Sequence, residues 1–234
     1  MASAIGYRGK NRLLAALPAD DFDRYFSALE RITLTLRSVI QGAAQPVKHV
    51  YFVEDGVSSV LTIMDDGSAV EVGMIGSEGM IGIAALLDGG SAPPQVIVQI
   101  PGTVLRMPIA LCKCAFDESA GVRTVMLRFA ADMLGLSTQT AACNRLHSIE
   151  QRCARWLLMA YDRVGSETMP MTHEFLAYML GVRRAGVTTT AQELQRSGLI
   201  RYRQGQIVIT DLEGLKALAC ECRRLDHERL NRML

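Results

Sequence analysis

The chain of 234 residues is long enough for one large domain or two of ordinary size. Its hydrophobic content of 49% supports a folded core, and 21% charged residues argue against intrinsic disorder. The net charge of +1 indicates no partner. No uncharged apolar run reaches the roughly 18 to 20 residues of a membrane span, and Met1–Leu17 lacks the apolar stretch of a signal peptide. We therefore expect a cytoplasmic protein whose six cysteines are thiols.

Charge is distributed unevenly along the chain. Residues 1–147 carry 12 basic and 14 acidic side chains, whereas residues 148–234 carry 13 and 10. The segment Arg183–Arg203 contains five arginines and a single acid, Glu193. This local excess of positive charge predicts contact with a polyanion, although a solvated surface helix has the same composition.

The first half of the chain predicts a short helix, Asp20–Arg31, followed by a compact β domain. Short apolar segments separated by turn residues predict at least six antiparallel strands in a sandwich or barrel. Glycine accepts the positive φ of a tight turn, so Glu54-Asp55-Gly56 and Asp65-Asp66-Gly67 predict hairpins. The predicted strands include Val47–Val53, Val57–Met64, Ala69–Ile75, Val96–Ile100 and Thr103–Met107.

A long helix is predicted from about Asp117 to His147. One set of its residues recurs at alternating spacings of four and three, which is an a/d heptad seam. A second apolar stripe, formed by Leu127, Ala131 and Leu134, lies on another face. We expect the seam to meet a second copy of the chain; the alternative is a monomer with one core-facing helix. The seam consists of Val122, Met126, Phe129, Met133, Leu136, Thr140 and Cys143.

The C-terminal part predicts two helices joined by a tight turn. Thr172 is expected to cap a helix over His173–Leu180, and Gly181-Val182 to turn the chain into a second helix, Arg183–Arg196. Gly198 stands at the usual C-terminal glycine position. This order is that of a winged helix-turn-helix. The predicted wing consists of the strands Leu199–Arg203 and Gln206–Ile209.

The start of the second helix carries unusual charges. Arg183 and Arg184 stand at the positive end of the helix dipole, which costs some tenths of a kcal/mol. A sequence selected only for folding favours acids there, so two cations indicate binding of phosphates or guanine edges. Thr188 and Thr189 offer hydroxyls away from the predicted core face. The alternative is a surface helix with exposed arginines and no ligand.

The resemblance to a known family rests on two segments. Residues 172–187, with the sequence THEFLAYMLGVRRAGV, resemble the helix-turn-helix of the Crp/Fnr (cyclic-AMP receptor protein/FNR) family of bacterial transcription regulators. Residues 194–200 resemble the end of its recognition helix and the entry to the wing. The resemblance implies an α+β fold with a cyclic-nucleotide-binding-like β-roll (jelly roll) in residues 1–116. A dimerisation helix over 117–147 and a winged helix-turn-helix over 148–234 complete it.

The family implies a homodimer that binds a palindromic site in double-stranded DNA, with RNA polymerase as a further partner. Arg184 matches the family arginine that reads guanine. Ala185 stands where well-known members carry a base-reading glutamate, so their operator is not expected here. The candidate base-reading residues are Arg183, Arg184, Ala185, Thr188 and Thr189. The candidate phosphate contacts are Thr172, His173, Arg201 and Arg203.

The effector cassette departs from the family pattern. Ile83 stands near the position of the ribose-binding glutamate, and Pro93-Pro94-Gln95 occupies the region of the phosphate-binding arginine. Because a buried phosphate without a cation is costly, we predict no tight binding of cyclic AMP and an unidentified effector. The cassette is assigned to Gly79, Gly82, Ile83, Ala84 and Gln95.

No cofactor or metal is predicted. Cys112-Lys113-Cys114 and Cys220-Glu221-Cys222 are weak metal signals, and the four histidines are scattered. No cysteine precedes Cys112, so the N-terminal iron–sulfur cluster of one family branch is not expected. Two alternatives stay open. Cys143 facing its copy across the dimer axis would form a redox switch, and His147 would serve as a haem ligand or pH sensor.

Two other functions compete with the regulator. One is a ligand- or partner-binding β-roll module without DNA-binding activity. The other is a cupin-type enzyme, which needs metal ligands clustered on the strands. Residues 33–107 contain His49 as their single histidine and no cysteine, so an enzyme is not expected. The effector, the operator and the direction of regulation stay open.

Overall fold

The computed structural model describes residues 6–88 and 93–232, so the first residues of the segment discussed as a signal peptide lie outside it. The N-terminal part contains two four-stranded antiparallel sheets. In spatial order, one sheet contains β1 (Glu30–Leu34), β8 (Gly102–Pro108), β3 (His49–Val53) and β6 (Met80–Ile81). The other contains β2 (Val39–Gln41), β7 (Gln95–Ile100), β4 (Val57–Ile63) and β5 (Ala69–Ile75). This arrangement confirms the predicted β-roll.

Short helices accompany these sheets. α1 (Arg12–Ala15) and α2 (Ala19–Tyr25) precede them, α3 (Ile83–Asp88) lies between β6 and β7, and α4 (Ile109–Glu118) follows β8. The helix predicted over Asp20–Arg31 is too long. Glu30 and Arg31 belong to β1, where they pair with Arg106 and Leu105 of β8. Sheet pairing therefore overrides the local helical pattern at that end.

The two Asp-Gly turns have different outcomes. Asp65-Asp66-Gly67 joins the paired strands β4 and β5, and Gly67 has φ +80°, as predicted. The prediction of a hairpin at Glu54-Asp55-Gly56 is wrong, because β3 and β4 lie in different sheets. The backbone N–H groups of Glu54 and Asp55 instead donate to the carbonyl of Thr103, at 2.9 and 3.1 Å.

The long helix, α5 (Ala120–Leu146), begins three residues later than predicted, because Ser119 ends α4 and caps α5 with its side chain. The predicted assignment of its two faces is reversed. Leu127 is 46% exposed and Leu134 is 70% exposed, whereas most of the predicted seam packs inside the same chain. Met133 and Thr140 of the seam are half-buried. The buried seam residues are Val122, Met126, Phe129, Leu136 and Cys143.

The C-terminal part is helical with one small sheet. Its first helix, α6 (Ile149–Val164), begins at a capping box in which Ser148 and Gln151 bond reciprocally. No helix in the described ranges combines the length and apolar character needed to cross a bilayer. The remaining elements are β9 (Thr168–Pro170), α7 (His173–Leu180), α8 (Arg184–Arg196), β10 (Ile200–Arg203), β11 (Gln206–Ile209), α9 (Leu212–Leu218) and α10 (Cys222–Arg232).

Candidate functional site

The turn between α7 and α8 orients the candidate site. Thr172 caps α7 by accepting a hydrogen bond from Phe175 N at 3.2 Å. Gly181 ends the helix with φ +61°, a conformation that glycine adopts without strain. The N–H of Val182 then donates to the carbonyl of Ala177 at 3.0 Å, which fixes where the next helix starts.

Helix α8 has one core face and one solvent face, as predicted. Val187, Ala191 and Leu194 are buried on the core side. Because successive turns keep the same faces, the opposite side presents Arg184, Ala185 and Thr189 to solvent. The helix is therefore held from behind, with a polar face free for a ligand.

Arg183 and Arg184 stand at the N-terminal end of α8, where the helix dipole is positive. Arg183 occupies the N-cap position without a side-chain capping bond, and Arg184 is the first helical residue. Both are exposed, and neither guanidinium forms an ion pair within the part of the chain that the structure describes. Two unneutralised cations at this end create a local site for anions.

The two predicted threonine hydroxyls bond back to their own helix. Thr188 Oγ1 donates to the carbonyl of Arg184 at 3.0 Å, and Thr189 Oγ1 donates to that of Ala185 at 3.2 Å. Their oxygens keep acceptor capacity, so each offers a ligand an acceptor and a methyl group. Thr189 is exposed and Thr188 is half-buried.

His173 packs into the support of the site. Its ring centroid lies 4.1 Å from that of Tyr202, and its Nδ1 lies 3.3 Å from Thr188 Oγ1. Burial, and then the charge of Arg184, lowers the pKa of His173. Its Nε2 is buried and has no hydrogen-bond partner among the residues that the structure describes, so the predicted phosphate contact would require the ring to move.

The wing is a tight hairpin that carries two exposed arginines. Strands β10 and β11 pair from Ile200↔Ile209 to Arg203↔Gln206. The connecting Gln204 and Gly205 have φ of +50° and +74°, as a two-residue hairpin turn requires. Arg201 and Arg203 are two positions apart and therefore lie on one face of β10.

The β-roll contacts the first helix of the helix-turn-helix. Arg37 Nη2 donates to Thr172 Oγ1 at 3.0 Å, and its guanidinium carbon lies 5.5 Å from the ring centroid of Phe175. Between the β4–β5 hairpin and α7 lies an open cavity of about 720 Å³, whose lining includes Arg183 and Val70. Thr172, a predicted phosphate contact, is therefore also a contact of the β-roll.

The predicted effector cassette borders a small apolar cavity of about 270 Å³. Gly82, Ile83 and Ala84 line it, together with Met133 of α5, and no charged side chain of the described ranges does so. Gln95 begins β7 nearby. Such a cavity suits an apolar group and offers no cation to a phosphate.

Gly79 serves packing between the cassette and α5. A Cβ atom at this position would lie 2.3 Å from the ring of Phe129. The absence of a side chain therefore allows the long helix to approach the β-roll.

Four scattered residues come together at the far end of α5. Cys143, His147, Cys220 and Cys222 have ligand atoms within 4.8 Å of one another, a grouping that the sequence does not predict. A hydrogen bond from Cys220 lowers the pKa of Cys143, against the effect of burial. Cys143 is fully buried beside Cys220 of its own chain, so the predicted thiol pair across a dimer axis is not supported.

The other cysteines belong to no such group within the described part of the chain. Burial raises the pKa of Cys112 and of Cys153 to about 12, which makes both thiols inert at neutral pH. Cys114 is exposed, with its sulfur 3.1 Å from Glu118 Oε1.

A β-roll, a long helix and a winged helix-turn-helix with exposed arginines are together typical of DNA-binding transcription regulators. A family model described as the Crp-like helix-turn-helix domain matches residues 151–218, and one described as the cyclic nucleotide-binding domain matches residues 32–111. Together they span more than half of the chain. The chain belongs to the Crp/Fnr family of transcription regulators, as predicted.

The transcriptional regulator SdrP of Thermus thermophilus is 41% identical over 61 residues, which is 26% of this chain and 30% of that protein. Two solved structures share the fold. A protein of Eubacterium rectale assigned to the Crp/Fnr family has a TM-score of 0.71 at 18% identity, covering 86% of this chain and 94% of its own. FixK2 of Bradyrhizobium japonicum has a TM-score of 0.70 at 18% identity, covering 82% and 98%.

Proposed function

We propose that this chain is a non-enzymatic, cytoplasmic transcription regulator that binds specific sequences in double-stranded DNA as a homodimer. The observation that carries the proposal is the pair Arg183 and Arg184, exposed and without ion-pair partners in the described ranges, at the start of a rigidly supported helix. A helix of this size fits the major groove, where its N-terminal residues reach base edges.

The proposed contacts divide into two groups. Arg184 reads guanine through O6 and N7, while Ala185 and Thr189 face the neighbouring bases. Arg201 and Arg203 on the wing bind phosphates, which adds affinity and salt dependence without selecting a sequence. Thr172 is a further phosphate contact once Arg37 releases its hydroxyl.

We propose that the exposed stripe of α5 forms the dimer interface. Leu127 and Leu134 are large apolar side chains in solvent, which a single chain has no reason to keep on one helix face. The stripe continues at alternating spacings of four and three, as a coiled-coil seam requires. Its exposed members are Leu127, Ala131, Leu134, Thr138 and Ala141. RNA polymerase is a further proposed partner.

The sensor function is proposed to be independent of cyclic AMP. The cassette cavity is apolar, and within the described ranges it contains no arginine or lysine to neutralise a phosphate. An uncharged small molecule is the class of effector that this cavity suits. Its binding would shift the crossing of the two α5 helices and thereby the spacing of the two α8 helices.

Selection from random duplex DNA tests the proposal. Purified, reduced protein is used, with and without metabolites extracted from cells. We expect a palindromic site whose half-site centres lie about one helical turn apart. Enrichment that requires metabolites would lead to the effector by fractionation.

A matched pair of variants controls the selection. R183A/R184A removes the proposed reading arginines, whereas R8A removes an exposed arginine of the β-roll side. The first should lose the selected site and the second should retain it. A folded dimer that enriches no sequence under either condition would contradict the proposal and favour a ligand-binding module without DNA-binding activity.

A further inference from the structure

The residues that meet at the end of α5 come from two distant parts of the chain. Cys143 lies in the last turn of α5, and His147 is the residue that ends the helix, so a spacing of four places them on one face. Cys220 and Cys222 lie between α9 and the start of α10. We refer to these four residues as the Cys3His cluster.

The spacing within the Cys3His cluster matches one metal ion. Zinc bonds to sulfur at about 2.3 Å and to nitrogen at about 2.0 to 2.1 Å, so a tetrahedral ion holds its ligand atoms about 3.6 to 3.8 Å apart. The sulfurs of Cys143 and Cys220 are 3.6 Å apart, and Cys222 Sγ lies 3.7 Å from His147 Nδ1. All four ligand atoms lie within 4.8 Å of one another.

The surroundings of the Cys3His cluster are typical of a protein metal site. Its three cysteines are buried, with at most 4% of each residue exposed. His147 Nε2 lies 3.2 Å from Glu221 Oε2, which leaves Nδ1 facing the sulfurs, and a carboxylate on the second nitrogen is the usual partner of a metal-bound histidine. Gln139 Nε2 donates to Cys222 Sγ at 3.0 Å.

We propose that the Cys3His cluster binds one Zn²⁺ ion in a closed tetrahedral site formed by three thiolates and His147 Nδ1. On binding, each thiol releases its proton to solvent as a zinc–sulfur bond forms, and no electron is transferred. Three thiolates and Zn²⁺ leave one net negative charge, which the neighbouring buried Arg152 offsets, whereas Arg155 is paired with Asp226 at 2.5 Å. Four protein ligands fill the coordination sphere, so the role is structural.

The size of the Cys3His cluster distinguishes zinc from an iron–sulfur centre. In such a centre the four protein ligands are divided among at least two irons, so ligands on different irons lie farther apart than the ligands of one tetrahedral ion. A metal here would also lie at the junction where α5 passes into α6 through Ser148. It would join the long helix to the connection before α10, so its loss would loosen the C-terminal domain.

Metal content and cobalt spectroscopy of the full-length protein test the site. We expect about one zinc per chain after purification under reducing conditions without chelator. Replacement by Co²⁺ should give the ligand-field bands of a tetrahedral ion and a sulfur-to-cobalt charge-transfer band. C143S and C222S should lose both features, whereas C114S, which changes an exposed cysteine outside the cluster, should retain them.

The wild-type chain supplies a test that does not depend on variants that fold poorly. Removal of zinc by a chelator should lower the unfolding midpoint, and added Zn²⁺ should restore it. Absence of metal and of the cobalt bands in reduced protein would overturn the proposal. Stoichiometric iron and sulfide, or cobalt bands that persist in C143S/C222S, would also overturn it.

The effect on DNA affinity rests on the proposed function and is measured separately. Chelated protein should bind the selected DNA site more weakly than the zinc-loaded protein. Because the cobalt spectrum needs no DNA, failure of the metal site and failure of DNA binding are distinguishable.

Discussion

At the residue scale, Arg184 and Arg203 perform different physical tasks in the proposed complex. Arg184 stands at the start of α8, where two N–H groups of its guanidinium can donate to O6 and N7 of one guanine. We expect R184A to lose about 1 to 3 kcal/mol of discrimination at that base pair, a factor of about 5 to 150. Fluorescence anisotropy with the selected site and single-base variants at fixed salt measures the loss.

R203A is the matched comparison. Arg203 is exposed on the wing, and a phosphate contact there adds affinity for every sequence. The variant should weaken binding to specific and non-specific DNA alike, and it should reduce the slope of log affinity against log salt by about one. If R184A and R203A lost base discrimination equally, the assignment of base reading to Arg184 and phosphate binding to Arg203 would be contradicted.

Glu71 is the residue whose titration should be visible in stability. Its Oε1 accepts a hydrogen bond from Trp156 Nε1 at 3.0 Å, while its Oε2 is buried and has no hydrogen-bond partner within 6–88 and 93–232. Burial raises the pKa of Glu71 to about 7. The unfolded chain has a glutamate pKa of about 4.3, so between these values the folded state holds more protons. Its stability therefore falls as pH rises through this window and then stays constant.

The expected consequence is a pH-dependent effect of E71Q. Glutamine stays neutral, so at pH 8 the variant should exceed the wild-type free energy of unfolding by about 3.5 kcal/mol. The difference should shrink toward zero below a pH of about 4, where Glu71 is neutral in the folded and mostly neutral in the unfolded chain. Urea unfolding at several pH values measures it. A difference that does not change with pH would show that Glu71 does not titrate in this range.

At the element scale, helix α5 is apolar on two faces that play different roles. The face of Phe129 packs inside the chain, whereas the face of Leu134 is exposed. F129A should destabilise the folded chain by about 3 to 5 kcal/mol, because it leaves a cavity in the core. L134E should leave the fold intact and dissociate the dimer, since it places a charge in the proposed seam.

Sedimentation velocity and urea unfolding separate these two effects. L111E is the control for L134E, because Leu111 on α4 is 56% exposed and lies outside the stripe. A dimeric L134E protein would contradict the proposed interface.

Sequence predicted best those elements whose limits are set by neighbouring residues. Helix α7 has the predicted bounds, because Thr172 and Gly181 determine its ends locally. The structure reverses the predicted roles of the two faces of α5. Both faces are apolar, and heptad spacing does not indicate which of them packs against a sheet. Glu54-Asp55-Gly56 carries the signal of a hairpin, but a crossing between sheets uses the same residues.

The Cys3His cluster shows the same limit for a site. The pair Cys143 and His147 has helical spacing, and Cys220-Glu221-Cys222 is a recognisable motif. About 70 residues separate the two halves, and the packing of α10 on α5 brings them together. The sequence shows the four candidate ligands, but only the fold shows that they lie close together.

At the scale of the whole molecule, the β-roll and the C-terminal helices share a hydrophobic core. Leu61 and Met74 of the β-roll belong to the same buried cluster as Leu157 of α6. Arg163 of α6 pairs with Glu78 at 2.7 Å, and both side chains are almost fully buried. The boundary predicted near residue 148 therefore does not separate two independently packed cores.

Trp156 reports directly on the contact between α6 and the β-roll. It is the chain's single tryptophan, it lies on α6, and only 5% of it is exposed. A shared core predicts one cooperative transition, so tryptophan fluorescence and far-ultraviolet circular dichroism should give the same urea midpoint. E78Q leaves the buried Arg163 without its charge partner and should lower the free energy of unfolding by about 3 to 5 kcal/mol. The two urea midpoints should fall together. If the fluorescence change preceded the loss of helix and strand signal, the C-terminal domain would detach before either part unfolds. Such detachment would mean that an effector needs only to separate the C-terminal domain from the β-roll. Coincident transitions would mean that an effector must shift the equilibrium between two packed conformations of the whole chain.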